Sequence, residues 1–150
     1  MMPYRMLMDR ASKGEPISIY GNPKRVKEIV YIKDFTQVVV NAARSELEGG
    51  FYNVGSPNRV SLDEMIHGIV DVFSPERNKS QISYDPSKPD TLQSMLDWTK
   101  TCDELGYKPQ YDFIRLLEDF KEEMRTEPMA GLWGHRSDYE KLYAQRCNQE

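Results

Sequence analysis

The sequence has few of the residues that build metal centres and disulfide frameworks. Among its 150 residues there are only two cysteines and two histidines. Cys102 and Cys147 lie far apart without C-x-x-C spacing, and His67 and His135 do not cluster with them. The sequence therefore argues against a metal site and favours a reducing compartment.

Long apolar runs and an excess of positive charge are also missing. No apolar run approaches the length of a membrane span, and the opening MMPYRMLMDRASKGEP lacks the continuous apolar segment of a signal peptide. The formal net charge is -4, whereas binding to nucleic acid phosphates needs clustered Lys and Arg. We therefore expect a cytoplasmic protein, of a length that suits one domain, that binds neither membranes nor nucleic acid.

The spacing of apolar residues predicts an α/β fold with a small mixed sheet and about five helices. Strands are predicted at PISIYG, at EIVYI, at FYNVGS and from Gln81 to Tyr84. Five helices are predicted. The first ends near Gly14, the second starts after Asp34 as its N-cap, and the third starts at a capping box that begins with Ser61. The fourth runs from Asp97 to Gly106, and the fifth follows Pro109. We expect residues 1–126 to form the domain and residues 127–150 to be a tail, with a terminal helix within 137–149.

Four phrases, taken in order, resemble the extended short-chain dehydrogenase/reductase family. They are KGEPISIYGNPK, VYIKDF, GGFYNVGSPNRVSLDEM and DWTKTCDELGYKPQYDF, and together they cover roughly Met6 to Met124. The resemblance is to the C-terminal substrate-binding domain of NAD-dependent nucleotide-sugar epimerases and dehydratases, such as UDP-glucose 4-epimerase. It implies a domain that holds a UDP-sugar.

The dinucleotide-binding features of that family are absent from this sequence. Members bind NAD on a Rossmann domain with a Gly-rich turn, and this chain contains no G-x-x-G-x-x-G motif. We therefore expect no cofactor on this chain alone, and NAD in the complete family enzyme. The resemblance implies a truncated gene product, one half of a split enzyme or an artificial fragment.

Two Y-x-x-x-K patterns imitate the catalytic Tyr/Lys pair of the family. That chemistry needs a helix, on which positions i and i+4 lie on one face. Gly21, Asn22 and Pro23 lie between Tyr20 and Lys24 and predict a turn, and Asp85-Pro86-Ser87 does the same in the Tyr84–Lys88 pattern. We therefore expect neither pair to be catalytic.

The resemblance implies a set of substrate-binding positions. Residues at the positions of Ser18 and Tyr20 meet the nucleotide base, and the family has arginines that clamp the pyrophosphate where Lys27 and Lys88 stand here. Asp90 falls near the ribose or the adjoining loop. The alternatives are a plain core strand for Ser18 and Tyr20, and solvated surface charges for the other three residues.

Other polar and aromatic residues are given structural roles. His67 is expected to be a partly exposed helix residue, Asp34 a helix cap, and Trp98 and Tyr107 packing residues of a short helix.

Two functions remain open at this point. One is a sugar-nucleotide-binding half-enzyme that is not catalytic alone, and the other is an interaction or oligomerisation module with a decayed ligand site. Strands such as GFYNVG would leave apolar residues and backbone edges uncovered without a Rossmann half. We therefore expect either a homo-oligomer or a Rossmann-domain partner.

Overall fold

The computed structural model describes residues 4–87 and 95–127, and within them it contains five α-helices and four short β-strands. The elements in chain order are α1 (Tyr4–Ser12), β1 (Ile17–Tyr20), β2 (Val26–Glu28), α2 (Ile32–Arg44), β3 (Arg59–Ser61), α3 (Leu62–Phe73), β4 (Ile82–Asp85), α4 (Thr99–Leu105) and α5 (Phe113–Thr126). No helix in these two ranges combines the length and the apolar character needed to cross a bilayer. The terminal helix predicted within 137–149 lies outside the described residues.

The strands form two separate two-stranded ladders. β1 and β4 pair in parallel, with Ser18 opposite Ser83 and Tyr20 opposite Asp85. β2 and β3 pair antiparallel, with Lys27 opposite Val60. The predicted fold class is confirmed, since parallel and antiparallel pairing both occur and are accompanied by the expected number of helices in the described part of the chain.

Most of the core lies between α1, α3 and α5, against one face of β1. Met65, Ile66 and Ile69 of α3 are at most 2% exposed, and so are Ile17 and Ile19 of β1. We call this set the major cluster; its buried members are Leu7, Met8, Ala11, Ile17, Ile19, Tyr31, Leu62, Met65, Ile66, Ile69, Val70, Phe73, Phe113, Leu116 and Leu117. Full burial of one large apolar side chain contributes about 1.5–3 kcal/mol. The major cluster thereby fixes β1 against the helices.

A smaller cluster joins α2 to α4. Its buried members, which we call the minor cluster, are Val38, Leu105 and Tyr107. The ring of Trp98 meets the ring of Tyr107 edge-on, with 5.7 Å between the centroids. The predicted packing role of these two aromatic residues is confirmed.

Two of the predicted helix boundaries are confirmed in atomic detail. At the start of α3 the Ser61 hydroxyl accepts from the Glu64 amide at 3.1 Å, and the Glu64 carboxylate accepts from the Ser61 amide at 2.7 Å. At the end of α4, Gly106 adopts the left-handed backbone, with φ of 61°. Both boundaries depend on contacts within a few residues, which explains why the sequence indicates them.

Two predicted strands need correction. The strand predicted at EIVYI is wrong: the strand is Val26–Glu28, and Ile32 begins α2. No strand covers FYNVGS (residues 51–56). Two of its backbone carbonyls accept hydrogen bonds from side chains and not from a neighbouring strand: that of Asn53 from the Thr101 hydroxyl, and that of Gly55 from the Tyr107 hydroxyl. The last helix follows Pro109 as predicted; it begins at Phe113, with Asp112 as its N-cap, and buries Phe113, Leu116 and Leu117.

One side of α2 is apolar and exposed. Ile32, Phe35 and Val39 follow one another at helical spacing and are 64%, 44% and 52% exposed. Phe51, in the segment after the helix, is 98% exposed. The predicted excess of uncovered apolar surface is therefore present, although it lies mainly on a helix and not on strand edges.

Candidate functional site

The β1–β4 ladder has one apolar face and one polar face. Side chains alternate between the two faces of a strand, so Ser18 and Tyr20 lie opposite to the buried Ile17 and Ile19. In-register partners share a face, so Ser83 and Asp85 of β4 join them. We call Ser18, Tyr20, Ser83 and Asp85 the polar face. Two of the predicted binding residues thus lie together on it.

The contacts on the polar face are short and specific. The hydroxyl oxygens of Ser18 and Ser83 are 2.8 Å apart, and either group can be the donor. The side chain of Tyr20 is 43% exposed at the carboxyl end of β1. Asp85 accepts a hydrogen bond from the Ser87 amide at 3.0 Å and so anchors the turn after β4. An aromatic ring and a hydroxyl pair are therefore accessible side by side.

Lys27 lies on the second ladder, in the middle of β2. The chain leaves β1 through a tight turn, in which Gly21 has a positive φ of 81° and its amide donates to the Asp85 carbonyl at 3.0 Å. The Asn22 side chain accepts from the Lys24 amide at 2.9 Å and closes this turn. Lys27 is partly exposed and is separated from Tyr20 by this turn only. The structure therefore does not place Lys27 on the polar face.

The two remaining predicted binding residues, Lys88 and Asp90, lie outside the described residues. They follow the end of β4, where Asp85 pairs with Tyr20.

The structure gives neither Y-x-x-x-K pattern a helical geometry within the residues it describes. Tyr20 ends a strand and Lys24 lies in the following turn. Tyr84 lies on β4, and its hydroxyl donates to the Asp63 carboxylate at 2.6 Å. That hydrogen bond raises the pKa of Tyr84, which is the opposite of what a catalytic phenolate requires. The prediction that Tyr20 and Lys24 do not lie on one helix is confirmed. Lys88 of the second pattern lies outside the described residues.

Asp63, Tyr84 and His67 form a surface cluster at the start of α3. Nδ1 of His67 is 3.1 Å from the Asp63 carbonyl oxygen and 3.6 Å from its carboxylate, and the side chain is 52% exposed. His67 is thus the partly exposed helix residue that was predicted. Asp63 was not predicted, because its hydrogen bond to Tyr84 joins two elements that are distant in the chain. Helical spacing alone could have indicated the contact with His67.

Asp34 is buried and does not cap α2. It is 2% exposed and lies in the first turn, whereas Tyr31 occupies the N-cap position. Its carboxylate accepts from the amides of Gln110 at 2.8 Å and Tyr111 at 3.3 Å. The predicted cap is therefore wrong; Asp34 holds the segment before α5 against α2.

A second buried polar group holds the segment after α2. The Glu28 carboxylate accepts from the Ser56 amide at 3.1 Å, and the Tyr107 hydroxyl donates to the Gly55 carbonyl at 2.9 Å. Burial, with smaller contributions from the negative charges of Asp34, Cys102 and Glu28, raises the pKa of Tyr107 to about 12. A Cβ on Gly55 would lie 2.1 Å from the Trp98 ring, so only glycine fits there. These contacts are structural and lie apart from the polar face.

A groove lies between α3 and α5. Its lining is mostly charged: Asp71, Val72, Ile114, Glu118, Lys121, Glu122 and Arg125. None of the predicted binding residues lines it. The polar face is therefore the better candidate site, because it combines an aromatic ring with hydroxyl groups.

Comparison with curated proteins finds nucleotide-sugar enzymes. The dTDP-glucose 4,6-dehydratase of Xanthomonas campestris is 27% identical over 116 residues, which are 72% of this chain and 33% of the relative. UDP-glucuronic acid decarboxylase 2 of Arabidopsis thaliana is 22% identical over 127 residues, 81% of this chain and 28% of the relative. The chain spans about a third of the length of the curated relatives it matches. No family model matches the chain.

Solved structures share the fold. UDP-N-acetylglucosamine 4-epimerase from Bacillus cereus matches with a TM-score of 0.67 and 24% identity, over 80% of this chain and 38% of the other. UDP-glucose 4-epimerase from Thermotoga maritima, solved with UDP-glucose, matches with a TM-score of 0.63 and 21% identity, over 80% and 38%. UDP-glucuronic acid 4-epimerase from Bacillus cereus, solved with NAD, matches with a TM-score of 0.64 and 20% identity, over 78% and 36%.

Proposed function

Because the chain is related in sequence and fold to the C-terminal substrate-binding part of the extended short-chain dehydrogenase/reductase family, we propose that it binds a sugar nucleotide and is not catalytic alone. The observation that carries this proposal is the open polar face, with the exposed ring of Tyr20 at the carboxyl end of a parallel strand. Ligands of α/β proteins characteristically bind at the carboxyl ends of parallel strands.

Each binding residue has a chemical role in this proposal. The ring of Tyr20 packs on the nucleotide base, and the hydroxyl of Ser18 bonds to its edge. Lys27 and Lys88 supply positive charge for the pyrophosphate, and Asp90 binds near the ribose.

Lys27 and Lys88 are expected to bind the pyrophosphate less tightly than arginines at the same positions would. In the family that the chain resembles, arginines stand at both positions. An arginine binds two phosphate oxygens through a planar fork, whereas a lysine is a flexible point charge. We therefore expect Lys27→Arg to tighten binding.

The junction between β3 and α3 does not fit the pyrophosphate of NAD. A dinucleotide pyrophosphate binds where a Gly-rich turn leads a strand into a helix N-terminus. Here β3 leads directly into α3, whose first turn carries Asp63 and Glu64. Their negative charge opposes a pyrophosphate. This supports the part of the proposal that excludes hydride transfer by the chain alone.

Titration of the 15N-labelled chain with UDP-glucose tests the proposal. We expect amide shifts at Ser18, Tyr20 and Lys27, and a loss of affinity of about two- to tenfold in Tyr20→Ala, since an aromatic contact contributes about 0.5–1.5 kcal/mol. Phe51→Ala, which removes an aromatic ring outside the polar face, is the matched control and should bind normally. Silent amides at these three residues would contradict the proposal, and NADH formation by the purified chain would refute its non-catalytic part.

A second candidate function, an interaction or oligomerisation module, is favoured by the exposed side of α2. Ile32, Phe35 and Val39 form an apolar stripe of the kind that commonly marks a protein interface. In this proposal the stripe is covered by a second copy or by a Rossmann-domain partner. Concentration-dependent sedimentation of the purified chain would support self-association. A monomer at all concentrations, together with silent nucleotide titrations, would leave a separate partner chain as the occupant.

A further inference from the structure

We propose that Ser83 is a further specificity-determining residue, whose hydroxyl binds the edge of a pyrimidine base together with Ser18. This inference rests on the proposed function, because it assumes that a nucleotide lies on the polar face. The resemblance implied no binding residue on β4, so Ser83 would be the first residue of this strand in the site.

The register of the ladder brings the two serines together. Ser83 pairs with Ser18 in the parallel ladder, and their hydroxyl oxygens are 2.8 Å apart on the exposed face. The opposite face is fixed by Ile17 and Ile19, which are 0% and 2% exposed. The hydroxyl pair is thus held in place by a strand that cannot rotate without exposing its apolar residues.

The hydrogen-bonding capacity of the pair suits the imide edge of uracil or thymine. Each hydroxyl has one donor and two acceptor sites, and the mutual bond uses one donor and one acceptor. One donor and up to three acceptor sites remain. An imide edge presents one N–H between two carbonyl oxygens, so one serine can accept from the N–H while the other donates to a carbonyl.

The register of the ladder sets how far Tyr20 lies from the two serines. Residues two apart on a strand are separated by about 6.6 Å, so Tyr20 lies one pair beyond the two serines on the same face. A six-membered ring with its exocyclic oxygens spans an interval of this size. The preference for uracil or thymine over adenine comes from the imide edge, which adenine lacks.

The alternative is that the two serines only stabilise the ladder. Cross-strand hydroxyl pairs contribute to sheet stability in many proteins. A ladder role predicts that removing either hydroxyl lowers stability and leaves nucleotide affinity unchanged. Binding and stability measurements on the same variants therefore separate the two roles.

The experiment measures the affinity of the whole chain for UDP, dTDP and ADP in Ser83→Ala, Ser18→Ala and the double variant. Since a hydrogen bond contributes about 0.5–1.5 kcal/mol, we expect each single change to weaken UDP and dTDP binding by about two- to tenfold. The double variant should lose less than the product of the two losses, because the hydroxyls act as a pair. ADP binding should be weaker at the outset and should change little.

Two further variants complete the test. Ser83→Thr keeps the hydroxyl and should retain most of the affinity. Ser45→Ala is the control: it removes a hydroxyl just after α2 that donates to the Ala42 carbonyl, away from the polar face, and should bind normally. If the unmodified chain binds UDP and Ser83→Ala binds it equally well, the inference is overturned and the proposed function stands. If the unmodified chain binds neither UDP nor dTDP, the proposed function fails and the inference fails with it.

Discussion

The major and minor clusters differ in how completely the chain covers them. The major cluster contains fifteen buried residues from α1, β1, α3, α5 and neighbouring segments of the described chain. The minor cluster contains three, of which α2 contributes only Val38, while Ile32, Phe35 and Val39 on the same helix are exposed. One helix layer is therefore complete within this chain, whereas α2 presents an apolar side that the described residues leave open.

Different forces hold the two regions. Apolar burial dominates around α3, where Met65 and Ile69 are each 1% exposed. Around α2, hydrogen bonds from buried polar groups join segments that are distant in the chain. The Asp34 carboxylate accepts hydrogen bonds from two backbone amides, and the Tyr107 hydroxyl donates one to the Gly55 carbonyl. Such hydrogen bonds specify a geometry but contribute less net free energy than apolar burial does. Most of the stability therefore comes from the major cluster, which includes the apolar face of β1, opposite to the polar face.

The largest effect is expected from Ile69→Ala, in the centre of the major cluster. Its side chain is 1% exposed, and truncation of a buried isoleucine costs about 2–5 kcal/mol because a cavity remains. Urea denaturation measures the loss. The control is Val39→Ala on the open side of α2, which is 52% exposed and should change the free energy of unfolding by less than about 0.5 kcal/mol. Equal losses in both variants would contradict the comparison.

An intermediate effect is expected from Tyr107→Phe in the minor cluster. The change leaves the Gly55 carbonyl without its donor, at a cost of about 1 kcal/mol. It also alters the pH dependence, because the pKa of Tyr107 is raised from 10.0 to about 12 in the native state. Between these values the native state keeps a proton that the unfolded state releases. Stability from this group is therefore present below pH 10 and is lost as the pH rises through 12.

A parallel test of this prediction is Tyr31→Phe in the major cluster. Burial, followed by its hydrogen bond to Asp119, raises the pKa of Tyr31 in the same direction. Denaturation curves at pH 9, 10, 11 and 12 should show a shallower alkaline loss in each variant than in the unmodified chain. An unchanged pH profile in Tyr107→Phe would mean that this tyrosine is not buried as described.

The smallest effect on the stability of the monomer is expected from Phe35→Ser. The side chain is 44% exposed on the open side of α2, so the free energy of unfolding should change by less than about 0.5 kcal/mol. Self-association should nevertheless weaken, because the apolar stripe is interrupted. Sedimentation velocity over a concentration series measures this. Ile114→Ser on α5, at 45% exposure, is the control and should associate like the unmodified chain.

The predictions from the sequence are correct where the decisive contacts are local. The capping box of Ser61 and Glu64 closes within one helical turn, and Gly106 terminates α4 through its own backbone conformation. The predicted strands at EIVYI and FYNVGS are wrong, although the apolar alternation there is typical of strands. In the structure, Tyr31 is buried in the major cluster. The hydroxyl groups of Thr101 and Tyr107 donate hydrogen bonds to the carbonyls of Asn53 and Gly55.

The candidate site was predictable in part for the same reason. Ser18 and Tyr20 alternate with two apolar residues, so the sequence places them on one face of a strand. Ser83 was not predicted, because its place beside Ser18 depends on pairing between β1 and β4, whose connection includes α2 and α3. Asp63 was missed because its bond to Tyr84 depends on the same packing.

The sequence by itself determined the fold class, the start of α3, the end of α4 and the pairing of polar with apolar residues along β1. Each of these depends on backbone preference or on the periodicity of side chains over a few residues. Tertiary structure decided the register of Ser18 with Ser83, the burial of Asp34 and the exposure of α2. These depend on which distant segments pack together, and that choice is made by the burial of apolar area summed over the whole domain.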